Sequence, residues 1–587
     1  MTTPARESAH AMAGLDRDLA PRDKKKTDGA VASATKHKVA VPSSQESPKE
    51  ALLHEAPSRN EAAASRGPLA NGATPLGSEI ELKLLVDADR LADFNAASII
   101  QTNARNKGTR KHLKSVYYDT REQTLRRNGL SVRVRQSGAR FVQTVKAESA
   151  DDPLRRTEWE ASVPSIAPDV GLAMPFIPDK LRADIERHRL EAVFTADIHR
   201  HVRIIDLPSG TVEVSFDNGC LKSGDQSMPV SEIELELKGG NAGAIYELAL
   251  RLAEHEPLRP SIRSKAARGF DLAAGTPPPA TKPQRLRLDP SISLDEAFTT
   301  ILRSCLRHLL VSLPAAEDGR DPEGVHQLRV SLRRLRSAFD LMRSAGALNK
   351  LGSLRSEARW LAQNLSAARD WDIFQQETLP TIAKACPSVP GFDALEQVAE
   401  KRRSAAYGKV RLAVADRRCS CFVLGLGGWI EARGWRSDVA PDGLGRLAEP
   451  AINFARRILS DQHAKVLKRG RRFKSLTAEE LHRLRLAAKR LRYVADFLLP
   501  LYGDRKPVRR FSRKLADLQE ELGSYNDMAL TASLLEGLAT ESPESSTAAA
   551  AITGWQAHAY TAIEGGLRSA WRDFTKTEAP WSSETEG

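Results

Sequence analysis

Residues 79–83 read Glu79-Ile80-Glu81-Leu82-Lys83, and the pattern returns at Glu232-Ile233-Glu234-Leu235-Glu236. Both stretches alternate charge and hydrocarbon with a period of two. On a β-strand that period puts every charge on one face and Ile or Leu on the other. Rows of carboxylates repel one another, so the pattern is costly unless a cation stands between them. A divalent metal, a row of Lys and Arg, or both would meet that need.

Other predicted strands carry charge on a single face. Arg133 shares a face with Arg135, Arg156 with Glu158, and Glu213 with Asp217. Lys146 ends one strand, Arg200 opens another, and Lys265 lies in Ser264-Lys265-Ala266-Ala267-Arg268-Gly269. One such pair alone reads as a solvated face with cross-strand salt bridges. The whole set reads as a sheet closed into a barrel or tunnel lined by acids and bases. A small barrel ordinarily fills its interior with apolar side chains, so interior charge implies a charged, hydrated ligand. Lys and Arg would hold phosphate oxygens, and the acids would hold Mg²⁺ or Mn²⁺, hard cations that prefer oxygen donors. There is no Walker A motif, which argues against P-loop chemistry.

The bulk numbers agree with an anionic partner. The 587-residue chain has a formal net charge of +13 and a pI of about 9.5, which favours nucleic acid, anionic membrane or polyphosphate. Aromatics are 5% of residues, against the stacking platforms of single-strand nucleic-acid readers. The five cysteines fit neither a zinc nor a disulfide framework, which suits a reducing, cytoplasmic compartment. The first residues do not read as a signal peptide, and no apolar run is long enough for a membrane span.

Residues 1–76 are Ala-, Ser-, Pro-, Lys- and Glu-rich without apolar periodicity and read as a disordered tail. Residues 77–272 are mostly strands, predicted at 79–86, 113–118, 130–136, 140–147, 155–163, 200–206, 211–217 and 230–238, with helices at about 87–103 and 241–255. Residues 273–290 form a Pro-rich linker. Residues 291–575 are helical in pattern, and 576–587 read as a frayed tail. The fold class expected is α+β and multidomain.

The helical half repeats itself. His326-Gln327-Leu328-Arg329-Val330-Ser331-Leu332-Arg333-Arg334-Leu335-Arg336 matches the stretch from His482 to Arg492, and Arg369-Asp370 is echoed by Asn526-Asp527 at nearly the same offset. Two related helical bundles about a pseudo-two-fold axis follow. His326, Arg329, Arg333 and Arg336 fall on one stripe of a helix, beside the apolar stripe Val325, Leu328, Leu332 and Leu335. The second copy sets His482, Arg485, Lys489 and Arg492 beside Leu481, Leu484, Ala488 and Leu491. A solvated face usually mixes signs, and neither ridge contains an acid. Facing ridges would make a basic groove for phosphate oxygens, with a His at each end adding pH sensitivity.

Residues 78–272 resemble the CYTH superfamily, the triphosphate tunnel metalloenzymes. The resemblance rests on the ExExK stretch at 79–83, Tyr117-Tyr118-Asp119-Thr120, Gly129 to Arg135, Thr144-Val145-Lys146, Arg156 to Trp159, Glu213 to Asp217, Glu232 to Glu236 and Ser264 to Gly269. It implies an eight-stranded antiparallel tunnel and metal-dependent hydrolysis of a triphosphate, commonly inorganic triphosphate. Some relatives are adenylate cyclases, thiamine triphosphatases or RNA triphosphatases. Val202 departs from the pattern where another polar, tunnel-facing residue is expected. The helical half resembles the CHAD domain, through its two ridges and their echoes, which implies polyphosphate binding and association with polyphosphate granules.

The charges then predict roles. Arg133, Arg135, Lys146, Arg156, Arg200 and Lys265 grip the triphosphate. Glu79, Glu81, Asp217, Glu232, Glu234 and Glu236 hold one or two divalent ions. Lys83, with Glu79 and Glu81, belongs to the catalytic set, and Lys83 assists the attacking water. Competing readings are a granule scaffold with an idle tunnel, a nucleotide cyclase and, less favoured, a nucleic-acid binder.

Overall fold

The structure, a computed structural model, describes residues 74–148, 154–346, 351–539 and 543–582. The side chains of Glu79 and Arg156, and those of residues 524–530, fall outside that description, as does the expected tail up to residue 73.

The first half is built on nine strands: β1 (Thr74–Leu85), β2 (Thr109–Asp119), β3 (Leu130–Ser137), β4 (Arg140–Glu148), β5 (Arg155–Val163), β6 (Glu191–Leu207), β7 (Gly210–Ser223), β8 (Gln226–Gly240) and β9 (Arg259–Ser261). They pair in the order β5-β4-β3-β2-β6-β7-β8-β1-β9, and β5 also pairs with β1. That last pairing, from Thr74↔Glu160 to Ile80↔Arg155, brings the first strand back to the far edge, so eight antiparallel strands run round in a ring. Closure of this kind removes the unpaired edges that an open sheet would expose. The turn predicted at Ser137-Gly138 joins β3 to β4, with Gly138 at φ 61°, a conformation that favours glycine.

Helices α1 (Leu91–Ala96), α2 (Ser98–Asn103), α3 (Thr124–Arg127), α4 (Val170–Ala173), α5 (Asp179–Arg187), α6 (Gly243–Ala253) and α7 (Lys265–Ala274) accompany the sheet. The helix expected at 87–103 is two short ones, broken at Ala97, whose ψ of 140° leaves the helical region. The alternating hydrocarbons of the opening motifs are not solvated. Leu82, Leu84, Ile233 and Leu235 are buried with Val212 and Val214 against Phe94, Ile100, Tyr246 and Leu248 of the helices. Packing thus fixes one face of β1, β7 and β8, and the acids must take the other.

The second half is helical: α8 (Leu294–Asp318), α9 (Pro322–Arg343), α10 (Leu351–Asn364), α11 (Ser366–Ile373), α12 (Leu379–Ala385) and α13 (Phe392–Ala415). After these come α14 (Arg417–Glu431), α15 (Pro441–Ala448), α16 (Ala451–Arg469), α17 (Ala478–Leu498), α18 (Lys506–Ala539) and α19 (Ser546–Thr575). A Ser293–Glu296 capping box starts α8 and a Thr477–Glu480 box starts α17, each satisfying amide donors the first turn leaves open. No helix among the described residues is long and apolar enough to cross a membrane. All five cysteines are free thiols.

The described residues form one compact unit, and the Pro-rich linker is packed into it. Leu286 and Leu288 from it are buried in the helical core. The two halves share a packed seam. Leu424 of α14 belongs to the same apolar cluster as Leu82, Tyr246 and Leu258. A Cβ on Gly427 would lie 2.1 Å from the Tyr246 ring. Ser420 donates to the Leu258 carbonyl, and Arg259 pairs with Glu317 at 2.6 Å.

Candidate active site

Inside the ring lies a cavity of about 450 Å³. Among the described residues its lining carries nine cationic side chains against six carboxylates, an excess that suits a polyanion. Register explains how the acids meet. Glu81 is directly opposite Glu236 and Lys83 directly opposite Glu234 across the β1–β8 ladder. Glu236 in turn faces Glu213 of β7, with Lys238 beside both. Lys83 is buried and donates to Glu81 and, at 2.6 Å, to Glu234.

Beyond Glu234, the side chains run together as a deeper ion-paired floor. Arg200, Asp217 and Glu232 are register neighbours on β6, β7 and β8. Arg200 donates to Asp217 at 2.7 and 2.6 Å and also reaches Glu234. α7 packs against the same three strands and sends Lys265 onto Asp217, Glu232 and, at 2.9 Å, Glu234, while Arg268 pairs with Glu232. Ser264 caps α7 by accepting from Ala267, which sets Lys265 at its first position. Carboxylate oxygens of Asp217, Glu232 and Glu234 lie within 4.8 Å of one another, with the Lys265 ammonium already among them.

The pKa shifts follow from this crowding. Burial would raise Glu234, but Lys265, Lys83 and Arg200 hold it well below the usual carboxylate range. Asp217 is held down in the same way, chiefly by Lys265 against burial. Burial would lower Lys265, and Asp217, Glu232 and Glu234 instead raise it. Arg135 goes the other way. Burial, Arg133 and Arg200 lower its guanidinium to about 9. Among the described residues its hydrogen bond is a long one, 3.4 Å to Ser115.

On the facing strands, Arg133 Nε donates to Thr144 at 3.3 Å, and Lys146 pairs with the buried Glu158. Thr144 donates to Glu160 at 3.0 Å. The Tyr117 phenol also lines the cavity, and its pKa is lowered by Arg133 and Arg135 against the effect of burial. Away from the cavity, His112, Asp197 and His199 also bring ligand-type atoms within 4.8 Å. Their own contacts account for that grouping: a 2.5 Å His112–Asp197 bond and two imidazoles stacked at 4.2 Å.

In the helical half, α9 and α17 pack together and their ridges converge. The Arg333 guanidinium lies 5.5 Å from the Tyr493 ring centroid, and Arg485 and Arg492 bear on the same phenol. Arg329 donates to Ser366 at 2.7 Å. Arg369 of α11, part of the first echo, lowers His326 together with burial, and Asp370 partly offsets the lowering of Arg329 that burial causes. His482 is exposed, whereas Arg336, Arg485, Lys489 and Arg492 are half-buried. Arg492 reaches Asp496 at 3.3 Å. The Asn526-Asp527 side chains lie outside the described residues.

Two family models match this chain: the CYTH domain over residues 77–270 and the CHAD domain over residues 300–536. The chain is a CYTH–CHAD protein. Its β-rich half belongs to the triphosphate-tunnel family. An inorganic triphosphatase of Haemophilus influenzae is 25% identical over 162 residues, covering 28% of this chain and 46% of that relative. The chain therefore spans under half of that relative's length. An uncharacterized protein of Mycobacterium tuberculosis is 25% identical over 412 residues, 66% of this chain and 75% of its own length. The crystal structure of the CHAD domain from the plant Ricinus communis is 32% identical, covering 51% of this chain and 97% of that one, with a TM-score of 0.45.

Of the residues singled out from the sequence, the CYTH cavity lining includes Lys83, Glu81, Arg133, Arg135, Lys146, Arg200, Lys265, Glu234 and Glu236. Asp217 and Glu232 lie behind it, fully buried. Glu79 and Arg156 are register partners in the β1–β5 ladder. Tyr117, Arg126, Glu158, Glu160 and Arg263 also line the cavity and were missing from the sequence-based site. Glu158 and Glu160 follow Arg156 at steps of two along one strand, so the period of two carried a usable signal. Arg126 owes its place to Asp119, a fully buried carboxylate that accepts from the amides of Thr120, Leu125 and Arg126.

Proposed function

We propose that the CYTH domain hydrolyses inorganic triphosphate, or a closely related triphosphate, with a divalent metal, and that the CHAD domain binds polyphosphate. The observation that carries this reading is Arg135. A guanidinium enclosed beside Arg133 and Arg200 is uncomfortable alone and is relieved by an oxyanion. Arg133, Arg135, Lys146 and Arg156 would grip the phosphate oxygens.

The donor set facing them suits a hard cation, because it offers carboxylate oxygens only. Glu81 and Glu236, directly opposed, are two like charges that a cation would reconcile. Glu81, Glu234 and Glu236, with Glu79 on the same strand, would hold Mg²⁺ or Mn²⁺. When bound, such an ion supplies charge neutralisation on phosphate oxygens and a more acidic water. Lys83 donates to Glu81 and Glu234, and its role here is to aim those carboxylates. Lys265 and Arg200 hold Glu234 directly from below, and are themselves anchored on Asp217. The converged ridges of the CHAD domain, around His326, Arg329, Arg333 and Arg336 and around His482, Arg485, Lys489 and Arg492, would take the longer polymer. A cytoplasmic protein at polyphosphate granules is the setting this implies.

The test is a substrate panel on the full chain with Mg²⁺ and Mn²⁺: inorganic triphosphate, ATP, thiamine triphosphate and long-chain polyphosphate. Phosphate release fastest from inorganic triphosphate is expected. Cyclic AMP from ATP, or no turnover of any triphosphate, overturns the reading.

A further inference from the structure

The cavity of the CYTH domain is not walled by that domain alone. Arg307 and Val311 of α8, and Pro279 and Thr281 of the connecting segment, line it together with Lys83, Arg133 and Lys265. Arg307 and Val311 are four residues apart, so they share one face of α8. One turn earlier on that face, Arg303 is bound to Glu431 at 2.9 Å. Arg307 is half-buried rather than solvated.

The helix that carries Arg307 is held against the tunnel. Glu317, ten residues further along α8, pairs with Arg259 of β9 at 2.6 Å. β9 is itself a rung of the tunnel wall, with Ser261 in register with Lys83. The Leu258 carbonyl next to it accepts from Ser420 of α14. Two helices of the CHAD domain therefore brace the strand beside Lys83, and α8 cannot swing away without breaking that seam. The local charge favours an anion. Arg126 and Arg263, also in the lining, share the single carboxylate of Asp271, and Arg307 adds a further guanidinium to the same cavity.

We propose that Arg307, supplied by the CHAD domain, is a phosphate-binding residue of the CYTH tunnel, so that the triphosphate site is complete only in the two-domain chain. This rests on the triphosphatase reading and names a residue that reading did not use. The guanidinium binds an oxygen of the phosphate nearest the CHAD domain, and takes no part in bond breaking.

The test uses the full chain as wild type, Arg307→Ala and Arg307→Lys. Equilibrium binding of inorganic triphosphate is measured with chelator present, and steady-state hydrolysis with Mg²⁺. Arg307→Ala is expected to weaken binding and raise KM about tenfold, in line with the loss of one charge-assisted hydrogen-bonding group, with kcat within about twofold. Arg307→Lys should recover part of the affinity, which a purely structural role would not give. Thermal unfolding of each variant checks that the fold is kept, and the lysine variant serves if the alanine variant is unstable. Equal affinity of wild type and Arg307→Ala overturns the proposal alone. Failure of the wild type to bind or hydrolyse triphosphate overturns the triphosphatase reading and the proposal with it.

Discussion

Glu81 stands directly opposite Glu236 on the neighbouring antiparallel strand. Like charges so placed destabilise a sheet, which separates the needs of folding from those of function. Glu81→Gln relieves that repulsion but also gives up the pair with buried Lys83, so the metal-free melting temperature should change little, while phosphate release falls by about 10²-fold, the usual scale for losing an electrostatic group at a reacting centre. Parallel melting curves and Mg²⁺-dependent assays check both halves of this expectation.

Lys265 holds together three carboxylates that would otherwise repel. Removing one partner from a buried ion-paired group typically costs about 3–5 kcal/mol, so Lys265→Met should destabilise on that scale in urea unfolding. The acid limb should move as well. Glu234 and Asp217 have folded-state pKa values below their ordinary ones. Their contribution is therefore present above the unfolded value of about 4 and is lost as pH falls through the folded value. Without Lys265 that loss should begin at higher pH.

Arg135, lowered to about 9, gives a prediction at the other end of the scale. Below about pH 9 Arg135 holds its charge in the free tunnel, and above it that one charge is lost. If the tunnel takes triphosphate as proposed, the charged form is the one that binds it, so affinity should be flat up to about pH 9 and weaken beyond it. Arg135→Gln should bind more weakly at neutral pH and lose that break. The stability term has the opposite sense. A folded-state value below the unfolded one means stability is gained as pH rises between them.

For the CHAD domain, reversing charge at Arg329, Arg333, Arg485 and Lys489 should abolish polyphosphate binding at moderate salt while the melting temperature is retained. Single reversals should weaken binding and flatten its salt dependence, as expected when individual phosphate contacts are removed. Unchanged binding would count against the ridge assignment.

Much of the tunnel was legible from a period of two. The acids at 79–83 and 232–236 and the bases at 133, 135, 146 and 200 lie on strands, where alternation reports which face a residue takes. It does not report which strand lies alongside, so the β5–β1 pairing that closes the ring had to come from the structure. Arg263 sits in a loop, where no periodicity exists. Arg307 reads as an ordinary arginine on a helix of mixed charge, because its place in the cavity lining depends on a contact between domains. The Pro-rich segment reads as a linker by composition, which does not report that Leu286 and Leu288 are buried in the helical core.

Gly427 gives a test of the seam. In a helix interior, alanine is ordinarily about 1 kcal/mol better than glycine. Here the added carbon would meet the buried Tyr246 ring at 2.1 Å, and overpacking of that kind costs about 1–3 kcal/mol. Gly427→Ala should therefore lower stability. Calorimetry of the wild type should show one transition for both domains, and the variant should broaden or split it.

The close approach of Gly427 to Tyr246 bears on how such a protein can be rearranged. Its two domains look like interchangeable parts on a sequence map, joined by a proline-rich stretch at which one would naturally cut. A helical domain borrowed from another chain would have to bring a bare backbone to meet that tyrosine, or the graft would be pried off the tunnel wall. Recombination between such proteins is therefore constrained to inherit position 427 and position 246 together.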